Sequence, residues 1–176
     1  VAKADRLVLP GVGAFASGME ALAKLNLVEG VRAYAATGKP LLGICLGLQF
    51  LFDYSEEYGR HEGLGLIPGD VKRIPDVGAD GTPHKIPHIG WSEIRPRPNG
   101  TWDGSLLRDV PVGSTMYFVH SFTAFPDKEE HRLADADYHG CRVSAAVSRD
   151  NITGCQFHPE RSGALGLRIL ERFLAV

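Results

Sequence analysis

Gly38-Lys39-Pro40-Leu41-Leu42-Gly43-Ile44-Cys45-Leu46-Gly47-Leu48-Gln49-Phe50-Leu51-Phe52 decides how the chain is read. Gly38-Lys39-Pro40 is a turn signal, and Leu41 to Ile44 is an apolar run of strand length. Leu46, Leu48, Phe50 and Leu51 then predict a helix buried over much of its surface, reaching about Tyr54. Cys45 falls at the turn between strand and helix, flanked by Gly43 and Gly47. Gly-x-Cys-x-Gly at such a junction has the form of a nucleophile elbow. The strained turn lifts the side chain above the sheet edge, and the glycines keep bulk away from it. The N-terminus of the following helix favours a thiolate, and the Leu46 amide is placed to receive an oxyanion. The same spacing also suits an inert cysteine buried in a sheet. The catalytic reading needs a base from elsewhere in the chain.

Towards the N-terminus, Leu7-Val8-Leu9 reads as a short buried strand running into Pro10-Gly11-Val12-Gly13. That loop has accessible amides and suits either an anion cradle or an ordinary turn. It is not a dinucleotide fingerprint, because the third glycine is missing at its required spacing. Ala14 to Thr37 reads as helix in two pieces, with Met19, Leu22, Ala23 and Leu27 on one apolar side and Gly30 interrupting the run. Strand, helix, strand, helix predicts an α/β unit built on a parallel sheet.

Towards the C-terminus, Ser55 to Gly113 carries more turn and extended signals than helix. Short antiparallel or edge strands are expected there, at Val71 to Ile74 and from Ile86 to Arg95. Thr115 to Phe122, Leu133 to Tyr138, Arg142 to Ser148 and Ile152 to Phe157 read as further strands. Leu165 to Val176 reads as an amphipathic terminal helix. His158-Pro159-Glu160 follows the last strand. In an extended segment His158 and Glu160 point the same way, so Glu160 orients the imidazole while His158 faces Cys45. The plainer alternative is a surface histidine beside a surface glutamate at a helix start.

Composition narrows the function classes. A chain of 176 residues suits one domain with a substantial core. Net charge is −2, and no basic stretch is dense enough to propose nucleic-acid binding. Cys45, Cys141 and Cys155 are odd in number and widely spaced, which argues against a disulfide framework and fits a reducing, cytoplasmic setting. No secretory signal or membrane-spanning apolar run is present in the sequence. His84 and His88 stand four apart, but Pro87 between them argues against a helical metal pair. They are taken as structural or interface residues, and no metal or cofactor is expected.

The motifs together resemble class I glutamine amidotransferase domains, and within them the glutaminase branch that serves imidazole glycerol phosphate synthesis. The resemblance rests on Leu9-Pro10-Gly11-Val12-Gly13-Ala14-Phe15, Leu42-Gly43-Ile44-Cys45-Leu46-Gly47-Leu48-Gln49, Gly63-Leu64-Gly65, Pro87-His88-Ile89-Gly90-Trp91, Tyr117-Phe118-Val119-His120-Ser121 and Gln156-Phe157-His158-Pro159-Glu160-Arg161-Ser162. It implies a mostly parallel sheet flanked by helices, in a flavodoxin-like three-layer architecture with added short antiparallel strands. It implies Cys45 as nucleophile, His158 as base and Glu160 as orienting acid. Val12, Gly13 and Leu46 would form the oxyanion hole. Gly11, Gln49, His120, Ser121 and Phe122 would hold L-glutamine, and Trp91, Tyr117 and Tyr138 would lie near a partner interface. The partner implied is a synthase (cyclase) subunit of barrel fold, in a heterodimer.

Some positions depart from the family's pattern. Ser92 stands where asparagine is usual, Leu48 where methionine is common and Phe122 where tyrosine is frequent. The family's first strand, helix and second strand are expected before the segment matching Ala4-Asp5 and are not in residues 1–176. Two other classes stay open on the residues alone: a cysteine peptidase-like hydrolase on a related scaffold, and a non-enzymatic binding subunit. The Gln49 and His120-Ser121 matches argue against the first, and the intact Cys45, His158 and Glu160 set argues against the second.

Overall fold

The computed structural model describes residues 1–175. Strand β1 (Leu7–Gly11) leads into helices α1 (Phe15–Lys24) and α2 (Val28–Ala35), and then strand β2 (Leu41–Cys45) runs directly into helix α3 (Leu46–Phe50). Strands β3 (Phe52–Ser55), β4 (His61–Glu62), β5 (Ile67–Arg73), β6 (His88–Pro96), β7 (Thr115–His120) and β8 (Phe122–Pro126) follow. Strands β9 (Arg132–Tyr138), β10 (Cys141–Arg149) and β11 (Ile152–Cys155) precede the terminal helix α4 (Gly163–Ala175).

The larger sheet has the order β1-β2-β11-β10-β9-β6-β7, and a smaller one has the order β4-β3-β5-β8. Strand β2 lies between β1 and β11 and is parallel to both. All five of its residues are buried, as expected of a strand covered on both faces. Leu41 faces a core that includes Phe15 of α1 with Val31 and Tyr34 of α2. Leu42, next in line, faces the opposite core with Ile169 and Phe173 of α4. Fully burying each leucine contributes roughly 1.5–3 kcal/mol.

The α/β class and the added antiparallel strands hold, but the antiparallel share is larger than expected. The β11–β10, β10–β9, β9–β6 and β6–β7 pairings are all antiparallel. The parallel part of the sheet is β1, β2 and β11.

Two local readings change. The expected helix to Tyr54 stops at Phe50, because Phe52 and Tyr54 pair with Ile67 and Asp70 in the smaller sheet. An apolar run fits a buried helix and a buried strand equally well, and the partner β5 decides between them. The expected single strand Thr115 to Phe122 is two strands parted by Ser121, with β7 in the larger sheet and β8 in the smaller. Among the described residues no helix is long and apolar enough to cross a membrane.

Candidate active site

Cys45 ends β2 with φ +55° and ψ −112°, a conformation most non-glycine residues avoid. The tight turn into α3 explains the glycines on either side. A Cβ at Gly43 would come within 2.6 Å of the Gly47 carbonyl oxygen, and one at Gly47 would overlap the Leu9 carbonyl of β1. The crossing is thus closed to any larger residue, and the elbow follows from the two glycines.

Sheet register explains how distant residues meet here. Gly11 pairs with Cys45 on one side, and Cys155 pairs with Ile44 on the other. The Val12-Gly13 loop and the Gln156-Phe157-His158 segment therefore leave neighbouring strands at the level of the sulfur. This is the carboxyl end of the parallel strands, where open α/β sheets gather ligands. The expected His158–Glu160 contact forms, with Nδ1 2.7 Å from Oε1. The expected route to it does not, because His158 begins a 3₁₀ turn, Pro159–Arg161, rather than an extended run. The turn brings the carboxylate back towards the ring. Tyr117 of β7 clamps the segment: its carbonyl accepts the His158 N–H at 2.9 Å, and its N–H donates to Ser162 Oγ at 3.0 Å.

Because the Glu160 carboxylate only accepts, Nδ1 carries the proton of that hydrogen bond. Nε2 of His158 is buried without a hydrogen-bond partner. His158 and Cys45 line the same cavity of about 300 Å³. The Gln156 amide Nε2 donates towards Cys45 Sγ at 3.8 Å, and the sulfur reaches the Val119 carbonyl at 3.9 Å.

Burial pushes the Cys45 thiol up to about 11, and the Glu160 charge adds to the rise. The Leu46 amide and Gln156 pull the other way and lose. The expected helix-stabilised thiolate is therefore corrected: α3 is one short turn, and desolvation outweighs its amide. Forming the thiolate unaided near pH 7 costs about 5 kcal/mol.

Val12, Gly13, Leu46 and Gln49 line this cavity, as do His120, Ser121 and Phe122. Val12 is 82% exposed, and Gly13 has φ +97°, a conformation that favours glycine. Gly11 instead faces an adjoining cleft with Glu160. Trp91 and Tyr117 pair across β6 and β7, ring centroids 5.9 Å apart, with Trp91 exposed. Tyr138 stands apart from them, stacked on His88 at 4.1 Å.

Two further residues belong to the site. Glu57 lines the cavity and accepts the Phe15 N–H at 2.6 Å. In the sequence it looks like one more charge in a mixed-charge loop. Gln156 is fully buried against the sulfur; its place one residue beyond Cys155 in register is the signal that finds it. All three cysteines are free. Among the described residues no group of three or more His, Cys, Asp or Glu side chains is gathered as metal ligands would be.

The class-I glutamine amidotransferase profile matches residues 2–176. The chain belongs to that family. It is 51% identical over 177 residues to imidazole glycerol phosphate synthase subunit HisH 1 of Legionella pneumophila (strain Lens), covering 100% of this chain and 83% of that relative. It is 47% identical over 176 residues to subunit HisH of Geobacillus thermodenitrificans, covering 100% of this chain and 80% of that one. A solved glutamine amidotransferase structure superposes with a TM-score of 0.65 at 17% identity, covering 97% of this chain and 78% of the other. A Thermotoga maritima glutamine amidotransferase superposes at 0.62 and 17%, covering 97% and 61%. At those identities the likeness supports the amidotransferase fold.

Proposed function

We propose that this amidotransferase hydrolyses the side-chain amide of L-glutamine through Cys45, His158 and Glu160 and supplies the ammonia to imidazole glycerol phosphate synthesis in the histidine pathway. The observation that carries the reading is that His158, held by Glu160 at Nδ1 and left without a hydrogen-bond partner at buried Nε2, lines the same cavity as Cys45. The 51% identity to a HisH subunit supports the pathway.

Cys45 Sγ attacks the carboxamide carbon while its proton passes to His158 Nε2. The oxyanion collects on the Leu46 amide and on the Val12-Gly13 peptide once that peptide turns its N–H inward. Glu160 holds Nδ1–H and stabilises the imidazolium without taking its proton. His158 then gives the proton to the leaving nitrogen, and ammonia departs from the thioester. Water attacks the thioester carbon, His158 takes its proton, and glutamate leaves as Cys45 recovers the thiol. Glu57 and the free Oε1 of Gln49, whose two N–H groups are committed inside the protein, meet the substrate ammonium. The partner is a synthase subunit of barrel fold in a cytoplasmic heterodimer, docked over Trp91 and Tyr117.

The test is Cys45→Ala in the full-length chain with its partner. Glutamine-dependent product formation is abolished and ammonium-dependent formation survives. Glutamine turnover at a near-normal rate would overturn the reading.

A further inference from the structure

Two buried histidines, one of them lining the cavity, move no proton in that chemistry. His88 on β6 and His120 on β7 pair across the strands, and both are desolvated. Nδ1 of His88 lies 2.9 Å from Nε2 of His120. Nε2 of His88 lies 2.9 Å from Ser92 Oγ. Nδ1 of His120 lies 2.8 Å from the Phe122 carbonyl oxygen. Ser92 and His88 are four residues apart on one strand, which full extension would hold about 13 Å apart. Their contact requires β6 to curl between them, where Gly90 has φ +147°.

The direction of every proton in this chain follows from its end. A carbonyl oxygen only accepts, so His120 Nδ1 must carry hydrogen. Burial lowers His120 to about 3 and His88 to about 4, so each ring holds a single N–H at neutral pH. His120 Nε2 is then a bare acceptor, and His88 Nδ1–H must donate to it. His88 Nε2 is bare in turn, and the Ser92 hydroxyl must donate to that.

The Phe122 carbonyl accepts from the other side as well, from Gln49 Nε2 at 3.1 Å. The same Gln49 nitrogen donates to Gln156 Oε1 at 3.1 Å, which leaves the Gln156 NH₂ group facing Cys45 Sγ at 3.8 Å. One polarised network thus joins the β6 strand beneath exposed Trp91 to the nucleophile. Its junction is the carbonyl of a residue that lines the cavity.

We propose that Ser92, His88 and His120 form a polarised positioning relay that fixes the Phe122 carbonyl, and through Gln49 and Gln156 the orientation of the glutamine pocket. These are positioning residues and do not touch the reacting atoms. Ser92 is the weak link because it is half-buried, and its hydroxyl is the donor that satisfies bare His88 Nε2. Without it, His88 Nε2 is left a buried acceptor with no donor, which weakens the hold of His88 on His120 and of His120 on the Phe122 oxygen. The pocket wall loosens while Cys45, His158 and Glu160 are left in place.

The kinetic part of this inference rests on glutamine as substrate, and the spectroscopic part does not. Nitrogen NMR of the histidine-labelled full-length chain near neutral pH should find His88 and His120 both neutral with hydrogen on Nδ1. Hydrogen on Nε2 of either ring, or a protonated ring, overturns the relay. In the complex with its partner, Ser92→Ala should raise KM for glutamine by about three- to tenfold with kcat within about twofold. Ser92→Asn, which keeps a donor, should restore KM to within about twofold. An unchanged KM in Ser92→Ala, or no rescue by Ser92→Asn, contradicts it. If the wild-type complex does not hydrolyse glutamine, the proposed function fails while the tautomers still decide the relay.

Discussion

At the carboxyl ends of β1, β2 and β11 the molecule buries its reactive groups, whereas across β6 and β7 it exposes an aromatic pair. Cys45 is 7% exposed and His158 is 6% exposed, while Trp91 is 55% exposed. The strand geometry accounts for the contrast. Parallel strands end side by side at one edge, so their following loops converge on one point. The antiparallel ribbon has one covered face and one free face, and it alternates accordingly: His88 and Ile94 inward, Ile89 and Trp91 outward. The first region gathers buried polar groups around a cavity, and the second presents surface. Tyr117 connects them, clamping the His158 segment by its backbone while its ring packs on Trp91.

The largest effects should come from the parallel edge. Cys45→Ala should lower glutamine turnover by about 10³-fold or more, because no other group can form the thioester. His158→Ala should cost about 10²- to 10⁴-fold, the usual range for a positioned acid-base group. Glu160→Ala should retain more activity than His158→Ala, since it orients the ring and moves no proton. A Glu160→Ala loss equal to or larger than that of His158→Ala, measured by glutamate release, would break this ranking.

Exposure on the ribbon should act on association instead. Trp91→Ala should weaken binding to the synthase partner about tenfold in a titration of the purified chains. Its folding midpoint in denaturant should stay near wild type, as an exposed side chain implies. An unchanged Kd would remove Trp91 from the interface.

The buried histidines beneath the ribbon predict a smaller, pH-dependent effect. Burial lowers His88 and His120 well below the ordinary histidine value, to about 4 and about 3. The unfolded chain therefore binds more protons, and stability rises with pH. Their contribution is complete above about pH 6.5 and is lost as pH falls towards 4 and 3. Denaturant midpoints should decline over that window, and His88→Asn should flatten the decline. A slope unchanged in His88→Asn would mean that other groups carry it.

Much of the parallel edge was legible in the sequence because its signals are local. Gly43, Cys45 and Gly47 mark the elbow, and Pro10 to Gly13 marks the facing loop. The rest depended on pairing between distant segments. Phe52 to Ser55 became strand because β5 offered a partner. Ser121 divided β7 from β8 because the chain moves to the second sheet there. Glu57 carries no local signal, and Gln156, though it opens the His158-Pro159-Glu160 stretch, shows its place against the sulfur only through sheet register. Cys45 was misjudged in its resting charge because a turn and helix can be read from spacing, whereas the depth of burial cannot.

The central claim is that Cys45 is a neutral thiol at rest and becomes the nucleophile on glutamine by giving its proton to His158. The most direct measurement is covalent labelling of the full-length chain, in complex with its partner, by a glutamine analogue bearing an electrophilic side chain, read by peptide mass. The account predicts a single adduct on Cys45 that glutamine competes away and that His158→Ala largely prevents near neutral pH. In that variant labelling should recover as pH rises towards 11, where the thiol ionises unaided. Labelling at Cys141 or Cys155, or labelling of Cys45 at an undiminished rate in His158→Ala near neutral pH, would contradict it.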